Sequence, residues 1–418
     1  MRKIHPFGPD RQVTVLPEAI NSLKSLGKLD TEQVKELIEV FDRVDGVFST
    51  LPGRTDLVTH DIVLTDEIPV VCKPFRYSPK EKELIIAEVE RMVKLGLLRP
   101  SVSPYGSPMM IVCKEGAKPR PVAAYMDLNA KTLLQQHPIP NVEECVEKAS
   151  KWKYISVFDL NRGFWQVNLT ERAIRAAAIL TPLGKYEPLI MNMGMKNAPF
   201  TFQLLMDIIC SDIQEFTTPF QDDTAVGVLD WKEHLANIEV FLKKIKTAGM
   251  TTNALKSQVA QDYVEFLGHK IGQGYRTPTE VKIAAVKDFR TPLTKRDVRS
   301  FLGLVGYYQR YVPQYSELCA SLTDSLKKTE PDPIVWNETK QESFVALKNA
   351  LTSQPVLRSP NYNETFIVQV DCSDRGMGVV LSQDFEGEEH PCLFISCKLA
   401  PGTKLLSHRE RMLAWFGW

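Results

Sequence analysis

The chain has 418 residues, of which 44% are hydrophobic and 24% charged, as is typical of a globular protein with room for two to four domains. Its 51 basic and 51 acidic residues cancel, which excludes the overall basic surplus common in nucleic-acid enzymes, so phosphate binding would depend on local charge. We find no apolar run long enough to span a membrane and no signal core at the start. The eight cysteines show no metal-type spacing. We therefore expect reduced thiols in a cytosolic or nuclear setting.

The first third of the chain mixes helical and strand-like patterns. Residues 30–41 predict a helix, and an extended arm containing prolines follows up to residue 72. Apolar residues recur at helical spacing over residues 79–98, which predicts an amphipathic helix. Short strands with turns are expected over residues 109–128, and another helix over residues 142–149.

Three acidic residues lie at the ends of two β-type segments. Asp159 closes a strand-like run over residues 154–158, and Asp222 and Asp223 interrupt β-forming residues over 215–228, which predicts a hairpin with acids at its tip. An isolated Asp-Asp pair is more often a turn or a helix start, so the neighbouring sequence decides its meaning. Two strand ends can bring three carboxylates together, and a two-metal phosphoryl-transfer site needs such hard oxygen ligands for Mg²⁺ ions about 4 Å apart.

The second half of the chain continues the α+β pattern. Helices are predicted over residues 198–212 and 233–247, and a further α/β module begins near residue 333. Basic residues outnumber acidic ones over residues 282–310. This charge by itself fits a solvated helical face as well as it fits a nucleic-acid contact.

Short motifs occur in a definite order along the chain. They are Gly46-Val47-Phe48-Ser49, Pro52-Gly53-Arg54-Thr55, Ser101-Val102-Ser103-Pro104-Tyr105-Gly106-Ser107-Pro108, Asp159-Leu160-Asn161-Arg162-Gly163-Phe164-Trp165-Gln166-Val167, Met193-Gly194-Met195-Lys196-Asn197-Ala198-Pro199-Phe200-Thr201-Phe202-Gln203, Phe266-Leu267-Gly268-His269, Arg299-Ser300-Phe301-Leu302-Gly303-Leu304-Val305-Gly306-Tyr307-Tyr308 and Asp371-Cys372-Ser373-Asp374-Arg375-Gly376. With these motifs the chain resembles the pol polyprotein of gypsy-type LTR retrotransposons, from about Phe41 to Ala414.

The resemblance implies an α+β fold, a right-hand polymerase with fingers, palm and thumb, followed by an incomplete RNase H-like α/β module. The implied boundaries are 1–72 for an N-terminal extension and arm, 73–270 for fingers and palm, 271–330 for the thumb and 333–418 for the truncated RNase H-like part. The implied activity is that of an RNA-directed DNA polymerase, which extends a primer 3′-OH with dNTPs. Its partners would be an RNA template, a DNA primer and an RNA/DNA hybrid. Its cofactor would be two Mg²⁺ ions, with Mn²⁺ as an alternative. Its location would be the cytoplasm, including virus-like particles, or the nucleus.

The same resemblance assigns roles to individual residues. The catalytic and metal-binding residues would be Asp159, Asp222 and Asp223, the nucleotide-binding residues Arg120, Lys114, Phe164, Gln203, Met193 and Gly194, and the primer grip Leu267 and Gly268. A planar guanidinium suits a triphosphate, and a bulky ring can exclude the 2′-OH of a ribonucleotide. Three packed carboxylates raise one another's pKa, so a dication explains their coexistence. Taken one at a time, most of the other positions read as core or turn residues.

Several positions depart from the family pattern. Ala123-Ala124-Tyr125-Met126 lacks the usual acid and base, Phe220 replaces a tyrosine, Pro219 removes a backbone donor from a strand, and Gln221 and Ala176 replace an apolar residue and a lysine. These departures keep two alternatives open. One is a degenerate or domesticated nucleic-acid-binding relic without polymerase activity, and the other is a fragment that does not fold stably because its last sheet is unfinished.

The RNase H-like part carries fewer of its acids. Asp371 matches the first metal ligand, whereas Asp374 belongs to the motif without being a ligand. Arg411 occupies the register of the second acid, and Glu410 is one residue early, about 100° around a helix. The sequence ends before the remaining acids would occur, so we expect this polypeptide not to cleave the RNA strand of a hybrid.

Overall fold

The structure is a computed structural model that describes residues 29–113, 119–353, 355–372 and 376–398, with the side chain of Cys372 excepted. Two compact units divide it. The first contains the described residues up to Cys145 together with Tyr154–Gln261, and the second contains Val146–Lys153 and the described residues from Asp262 onward. None of the described helices is both long and apolar enough to cross a membrane.

Up to residue 261 the chain interleaves helices with short strands, and all of them belong to the first unit except the part within Val146–Lys153. In chain order the elements as far as the unit boundary are α1 Thr31–Arg43, β1 Thr55–His60, α2 Pro79–Lys94, β2 Leu98–Pro100, β3 Ser107–Val112, β4 Arg120–Ala123, α3 Met126–Lys131, α4 Val142–Ser150, β5 Tyr154–Asp159, β6 Val167–Leu169, α5 Glu171–Ala176, β7 Ile179–Thr181, β8 Gly184–Pro188, α6 Ala198–Cys210, β9 Thr217–Phe220, β10 Asp223–Val228, α7 Trp231–Thr247 and β11 Gln258–Gln261. The predicted helices near the start, before β5 and on either side of the acidic hairpin are all confirmed within a few residues.

Helix boundaries follow from capping residues. Asp30 and Gln33 form a capping box at the start of α1, and Asp230 caps α7 by accepting the N–H of Glu233 at 3.0 Å. The predicted helix over 79–98 is too long, because α2 ends at Lys94. Gly96 then adopts a positive φ of 67°, a left-handed conformation that ends helices, and the chain turns into β2.

A four-stranded antiparallel sheet forms the centre of the first unit. Its strand order is β11-β5-β10-β9, so β5 and β10 are paired on both edges. Apolar residues of these inner strands, among them Phe158 and Val226, are fully buried with Phe241 of α7. A second sheet has the order β2-β8-β7-β3-β4 and places Arg120 at the start of its edge strand β4.

The second unit has its own core. After Asp262 its elements are β12 Val264–Phe266, β13 His269–Gly272, β14 Tyr275–Pro278, α8 Glu280–Lys287, α9 Lys295–Gly306, α10 Tyr315–Leu318, α11 Ala320–Asp324, α12 Glu338–Thr352, β15 Leu357–Arg358, β16 Ile367–Cys372, β17 Gly376–Phe385 and β18 Glu388–Lys398. Phe301 and Phe344 pack with ring centroids 4.6 Å apart in that core. β12 to β15 form one sheet and β16 to β18 form another.

The basic segment of the sequence lies on α8, α9 and the turn between them. One face of α9 is buried through Val298, Phe301 and Val305, whereas Arg296 and Arg299 are exposed. Lys282, Lys287 and Arg290 are exposed as well. The structure thus presents these cations to solvent, which both interpretations of the segment require.

A buried histidine makes the stability of the first unit depend on pH. His234 lies inside α7, fully buried, with its Nε2 3.0 Å from the Ser156 hydroxyl of β5. Burial lowers the pKa of His234 to about 3 from an ordinary value of 6.5. The folded state therefore keeps this ring neutral where the unfolded chain binds a proton. Stability is complete above pH 6.5 and falls as the pH decreases toward 3.

We predict that His234→Gln makes unfolding less sensitive to acid. Between pH 7 and pH 5 the wild-type protein should lose about 2 kcal/mol of unfolding free energy through this residue, because only the unfolded state gains the proton. Urea unfolding followed by circular dichroism at both pH values measures the loss in each protein. An equal loss in variant and wild type would show that His234 is not the responsible group.

Candidate active site

The acidic hairpin sits at the end of the central sheet. Phe220 pairs with Asp223 across the hairpin, so Gln221 and Asp222 form a two-residue turn between β9 and β10. Along the other edge of β10, Asp223 is the direct partner of Asp159 at the end of β5. The predicted hairpin and the convergence of the three acidic residues at one sheet end are both confirmed.

Electrostatic effects at this sheet end show that the carboxylates interact. Burial, together with the negative charges of Asp222 and Asp159, raises the pKa of Asp223 to about 6. Burial also raises the pKa of Asp159, against the opposing effect of Lys256, whose Nζ lies 3.5 Å from Oδ2 of Asp159. A cation at this position relieves both the repulsion and the loss of hydration.

The donor chemistry of this sheet end fits a divalent cation. The side chains offer hard carboxylate oxygens, which Mg²⁺ and Mn²⁺ prefer. Their oxygens do not yet converge on one point: among the described residues, no group of three or more His, Cys, Asp or Glu side chains has the geometry to hold a metal ion. Asp159 instead faces Lys256, so binding two ions requires the side chains to reorient.

The segment after β5 brings an aromatic ring close to the acids. Arg162 turns the chain with a positive φ of 51°, and a short 3₁₀ turn, Gly163–Gln166, follows. A Cβ on Gly163 would lie 3.0 Å from the Cβ of Asp222 and from the ring of Phe202, so a larger residue there would require one of these side chains to shift. Phe164 is half-buried and packs edge-to-face on Phe202 with ring centroids 5.5 Å apart. This packing fixes the ring of Phe164, the residue predicted to select the sugar, directly after the glycine that packs against Asp222.

Guanidinium groups gather around Trp165, six residues after Asp159. The guanidinium carbon of Arg162 lies 4.4 Å from the ring centroid of Trp165, and that of Arg91 in α2 lies 5.3 Å from the same centroid. Burial lowers the pKa of Arg162, and the nearby charges of Arg91 and Arg120 lower it further. Arg91 pairs with Glu88, whereas no carboxylate within the described ranges lies at ion-pair distance from Arg162 or Arg120. These two cations form a positive pole, which the negative charge of Glu88 offsets in part.

Gln203 supports the acidic hairpin from α6. Its side chain is fully buried, its Oε1 accepts the N–H of Gln221 at 2.9 Å, and its Nε2 donates to Oδ1 of Asp207 at 2.9 Å. A direct contact between Gln203 and a nucleotide remains a prediction. Met193 is half-exposed and Gly194 has a positive φ of 90°, while the Gly194 carbonyl accepts the amide of Asn129 at 2.7 Å. Lys114 lies outside the described residues.

The predicted primer-grip residues belong to the second unit. Leu267 and Gly268 form a tight turn with positive φ values of 47° and 77°. The hydroxyls of Tyr307 and Tyr308 donate to the carbonyls of Leu267 and Gly268, each at 2.7 Å. The ring of His269 packs against both tyrosines. These two hydrogen bonds hold the conformation of the turn, and its contact with a primer remains a prediction.

The RNase H-type acid is also in the second unit. Asp371 lies on β16 and accepts a hydrogen bond from the side-chain amide of Gln314 at 2.7 Å. Asp374, Glu410 and Arg411 lie outside the described residues.

Sequence reasoning missed three contributors to the site, namely Arg162, Arg91 and Lys256. Arg162 stands within the motif that starts at Asp159, so its position was a usable signal. Lys256 and Arg91 are distant from Asp159 in sequence, and only the folded chain brings Lys256 to Asp159 and Arg91 to Trp165.

Two family models match the chain. Residues 112–271 match "Reverse transcriptase (RNA-dependent DNA polymerase)", and residues 336–416 match "RNase H-like domain found in reverse transcriptase".

Curated relatives match almost the whole chain. The chain is 31% identical to "Retrovirus-related Pol polyprotein from transposon 297" of Drosophila melanogaster, over 95% of this chain and 38% of that protein. Identity to the corresponding gypsy polyprotein of the same organism is 29%, over 92% of this chain and 39% of that protein. Against the "Enzymatic polyprotein" of figwort mosaic virus it is 28%, over 92% and 59%. The chain therefore spans about two fifths of the transposon polyproteins it matches.

Solved structures share the fold. A foamy viral protease-reverse transcriptase in complex with double-stranded DNA superposes with a TM-score of 0.87 at 21% identity, covering 96% of this chain and 70% of that one. The complex of a foamy viral protease-reverse transcriptase with an RNA/DNA hybrid gives a TM-score of 0.83 at 21% identity, covering 96% and 55%. The predicted α+β architecture, a polymerase fold with an RNase H-like domain, is confirmed.

Proposed function

Because the chain belongs to the reverse transcriptases of gypsy-type retrotransposon Pol polyproteins, with an RNase H-like domain after the polymerase domain, we propose that it is an RNA-directed DNA polymerase. It would extend a primer 3′-OH with dNTPs on an RNA or DNA template. The observation that carries this proposal is the pairing of Asp223 with Asp159 beside the Asp222 turn, which gathers three acids at one sheet end.

We propose that Asp159 and Asp222 hold two Mg²⁺ ions, or Mn²⁺ in their place, and that Asp223 assists. When bound, such ions stabilise the attacking and leaving oxygens of an in-line phosphoryl transfer. The protein's contribution is to gather the carboxylates at a half-buried sheet end. The raised pKa of Asp223 supports this assignment, because a cation is what stabilises its ionised form there.

The positive pole of Arg162 and Arg120 suits the triphosphate of a nucleotide. Arg120 is exposed on its edge strand, and Arg162 is held in place by its stacking on Trp165. Planar guanidinium groups bind phosphate oxygens with two parallel hydrogen bonds, and a preset orientation reduces the entropy lost on binding. Phe164 would lie under the sugar and exclude a 2′-OH.

The nucleic-acid partners would be an RNA template, a DNA primer and their hybrid. The exposed cations on and between α8 and α9 supply charge for the phosphate backbone, which carries most of the affinity in such complexes. The rigid turn at Leu267 and Gly268 would approach the primer end through its backbone.

Substitution of a proposed metal ligand tests the main proposal. Asp222→Asn should reduce extension of oligo(dT) on poly(rA) by several orders of magnitude, because a neutral amide cannot replace the charge that holds the cation. Binding of the primer-template, measured by fluorescence anisotropy, should stay near the wild-type value.

The matched control is Asp212→Asn, since Asp212 is an exposed acid that pairs with Lys244. Its extension rate should equal that of the wild type. Equal extension by Asp222→Asn would remove this site from the mechanism. A wild-type protein that binds the primer-template without extending it would favour the relic instead.

The choice of sugar tests Phe164. Phe164→Ala should let ribonucleotides compete with deoxyribonucleotides, because the discrimination is steric. Single-nucleotide incorporation with each nucleotide type measures the ratio. If the variant rejects ribonucleotides as strongly as the wild type does, Phe164 is a packing residue of Phe202 and no more.

The positive pole gives a prediction for nucleotide affinity. Arg162→Ala should raise KM for dNTP by about 10- to 100-fold, the range expected when one hydrogen bond to a charged group is lost. Primer-template affinity should not change. Arg172→Ala removes the same charge from an exposed residue paired with Asp61 and should leave KM unaltered. If Arg162→Ala has the same KM as Arg172→Ala and the wild type, Arg162 is excluded from the triphosphate site.

A further inference from the structure

A chain of hydrogen bonds connects the surface of the first unit to the acidic hairpin. It starts at His137, whose Nε2 lies 2.6 Å from Oδ2 of Asp207, and continues from Oδ1 of Asp207 to Nε2 of Gln203 at 2.9 Å. It ends where Oε1 of Gln203 accepts the backbone N–H of Gln221 at 2.9 Å. Gln221 immediately precedes Asp222, so the chain ends beside a proposed metal ligand.

The last residue of this chain adopts an unfavourable conformation. Gln221 has a φ of 51° at the first position of a two-residue hairpin turn, where a positive φ is normally taken by glycine. A side chain in this region costs free energy, and surrounding contacts must compensate. The N–H of Gln221 is held by Gln203, and this bond stabilises the turn that orients Asp222.

The bond to Gln221 requires one orientation of the Gln203 amide. With the amide turned over, its NH₂ group would face the N–H of Gln221, donor against donor. Two acceptors hold the observed orientation, namely Asp207 at 2.9 Å and the carbonyl of Pro219 at 3.4 Å. The carboxylate of Asp207 is both closer and charged, so it contributes the stronger bond. Asp207 and Gln203 lie one turn apart on α6, which sets their spacing.

His137 is itself anchored to α6. The extended segment that carries it is tied to Asn197, the residue before α6, which donates to the carbonyl of Leu133 at 2.8 Å and accepts the N–H of Gln135 at 3.2 Å. His137 therefore approaches Asp207 from a fixed position. Its contact leaves the other oxygen of Asp207 for Gln203.

We propose that Asp207 and His137 are positioning residues that set the orientation of the Gln203 amide and thereby the geometry of the Asp222–Asp223 hairpin. They touch neither substrate nor metal and act through Gln203 and the Gln221 backbone. The kinetic part of this inference rests on the proposed polymerase activity, whereas the structural part does not.

Kinetics of full-length variants test the first part. Asp207→Ala should lower kcat by about 10- to 100-fold, as expected for a small displacement of catalytic groups, with primer-template affinity unchanged. Asp207→Asn keeps an oxygen for Gln203 and should lose less. His137→Ala should act in the same direction, and His137→Gln, whose amide can donate to Asp207, should restore activity. The control Asp212→Ala removes an exposed carboxylate beyond the end of α6 and should match the wild type.

Amide hydrogen exchange tests the second part without any need for activity. In Asp207→Ala the N–H of Gln221 should exchange about tenfold faster, because its acceptor is no longer held in place, and Asp212→Ala should exchange like the wild type. Wild-type exchange at Gln221 together with wild-type kcat in Asp207→Ala would overturn the proposal. So would a lowered melting temperature with normal kcat, since that describes a purely structural role.

Two further outcomes are also decisive. If the wild-type protein does not polymerise, the exchange experiment alone decides, so failure of the proposed function and failure of this inference remain distinguishable. If Asp207→Ala does not fold, Asp207→Asn and His137→Ala take its place. Unchanged exchange in both of those variants would then reject the proposal.

Discussion

The antiparallel pairing of β5 with β10 is the constraint on which the site depends. In its register Asp223 lies opposite Asp159, and the hairpin turn adds Asp222. A slip by one residue would send every side chain of a strand to the opposite face of the sheet. Burial of Phe158 and Val226 on the inner strands opposes such a slip, because the wrong register would expose them. The hydrophobic core thereby specifies where the acids meet.

The same arrangement carries an electrostatic cost. The half-buried carboxylates lose hydration and repel one another, and both effects raise the pKa values of Asp223 and Asp159. Lys256 compensates in part at Asp159. The carboxylates and the positive pole of Arg162 and Arg120 would suit a ligand that brings its own cations and phosphates. The contact between Lys256 and Asp159 would then give way to the cations.

Local patterns predicted much of this from the sequence, and non-local contacts account for what was missed. The hairpin, its acids and the flanking helices follow from residue periodicity and turn chemistry. The end of α2 was misplaced because Leu97 and Leu98 continue its apolar pattern, although they belong to the turn and strand after Gly96. Lys256 and the His137–Asp207 pair could not be predicted, because their partners lie far away in the chain. The proposed domain boundaries and residue roles remain predictions.

The positions that depart from the family pattern bear on whether the protein is an enzyme or a relic. Pro219 cannot donate a hydrogen bond, but it lies on β9, the edge strand of the sheet, where proline is tolerated. Its carbonyl even serves as an acceptor for Gln203. Gln221 takes a strained φ, yet its N–H is held by a buried, correctly oriented amide. Random decay would be expected to leave strained or buried polar groups without such support. Pro219 and Gln221 are thus each accommodated by a specific contact, whereas the buried hydroxyls of Thr218 and Thr224 in the same hairpin have no hydrogen-bond partner among the described residues. The support is therefore concentrated at the turn that carries Asp222.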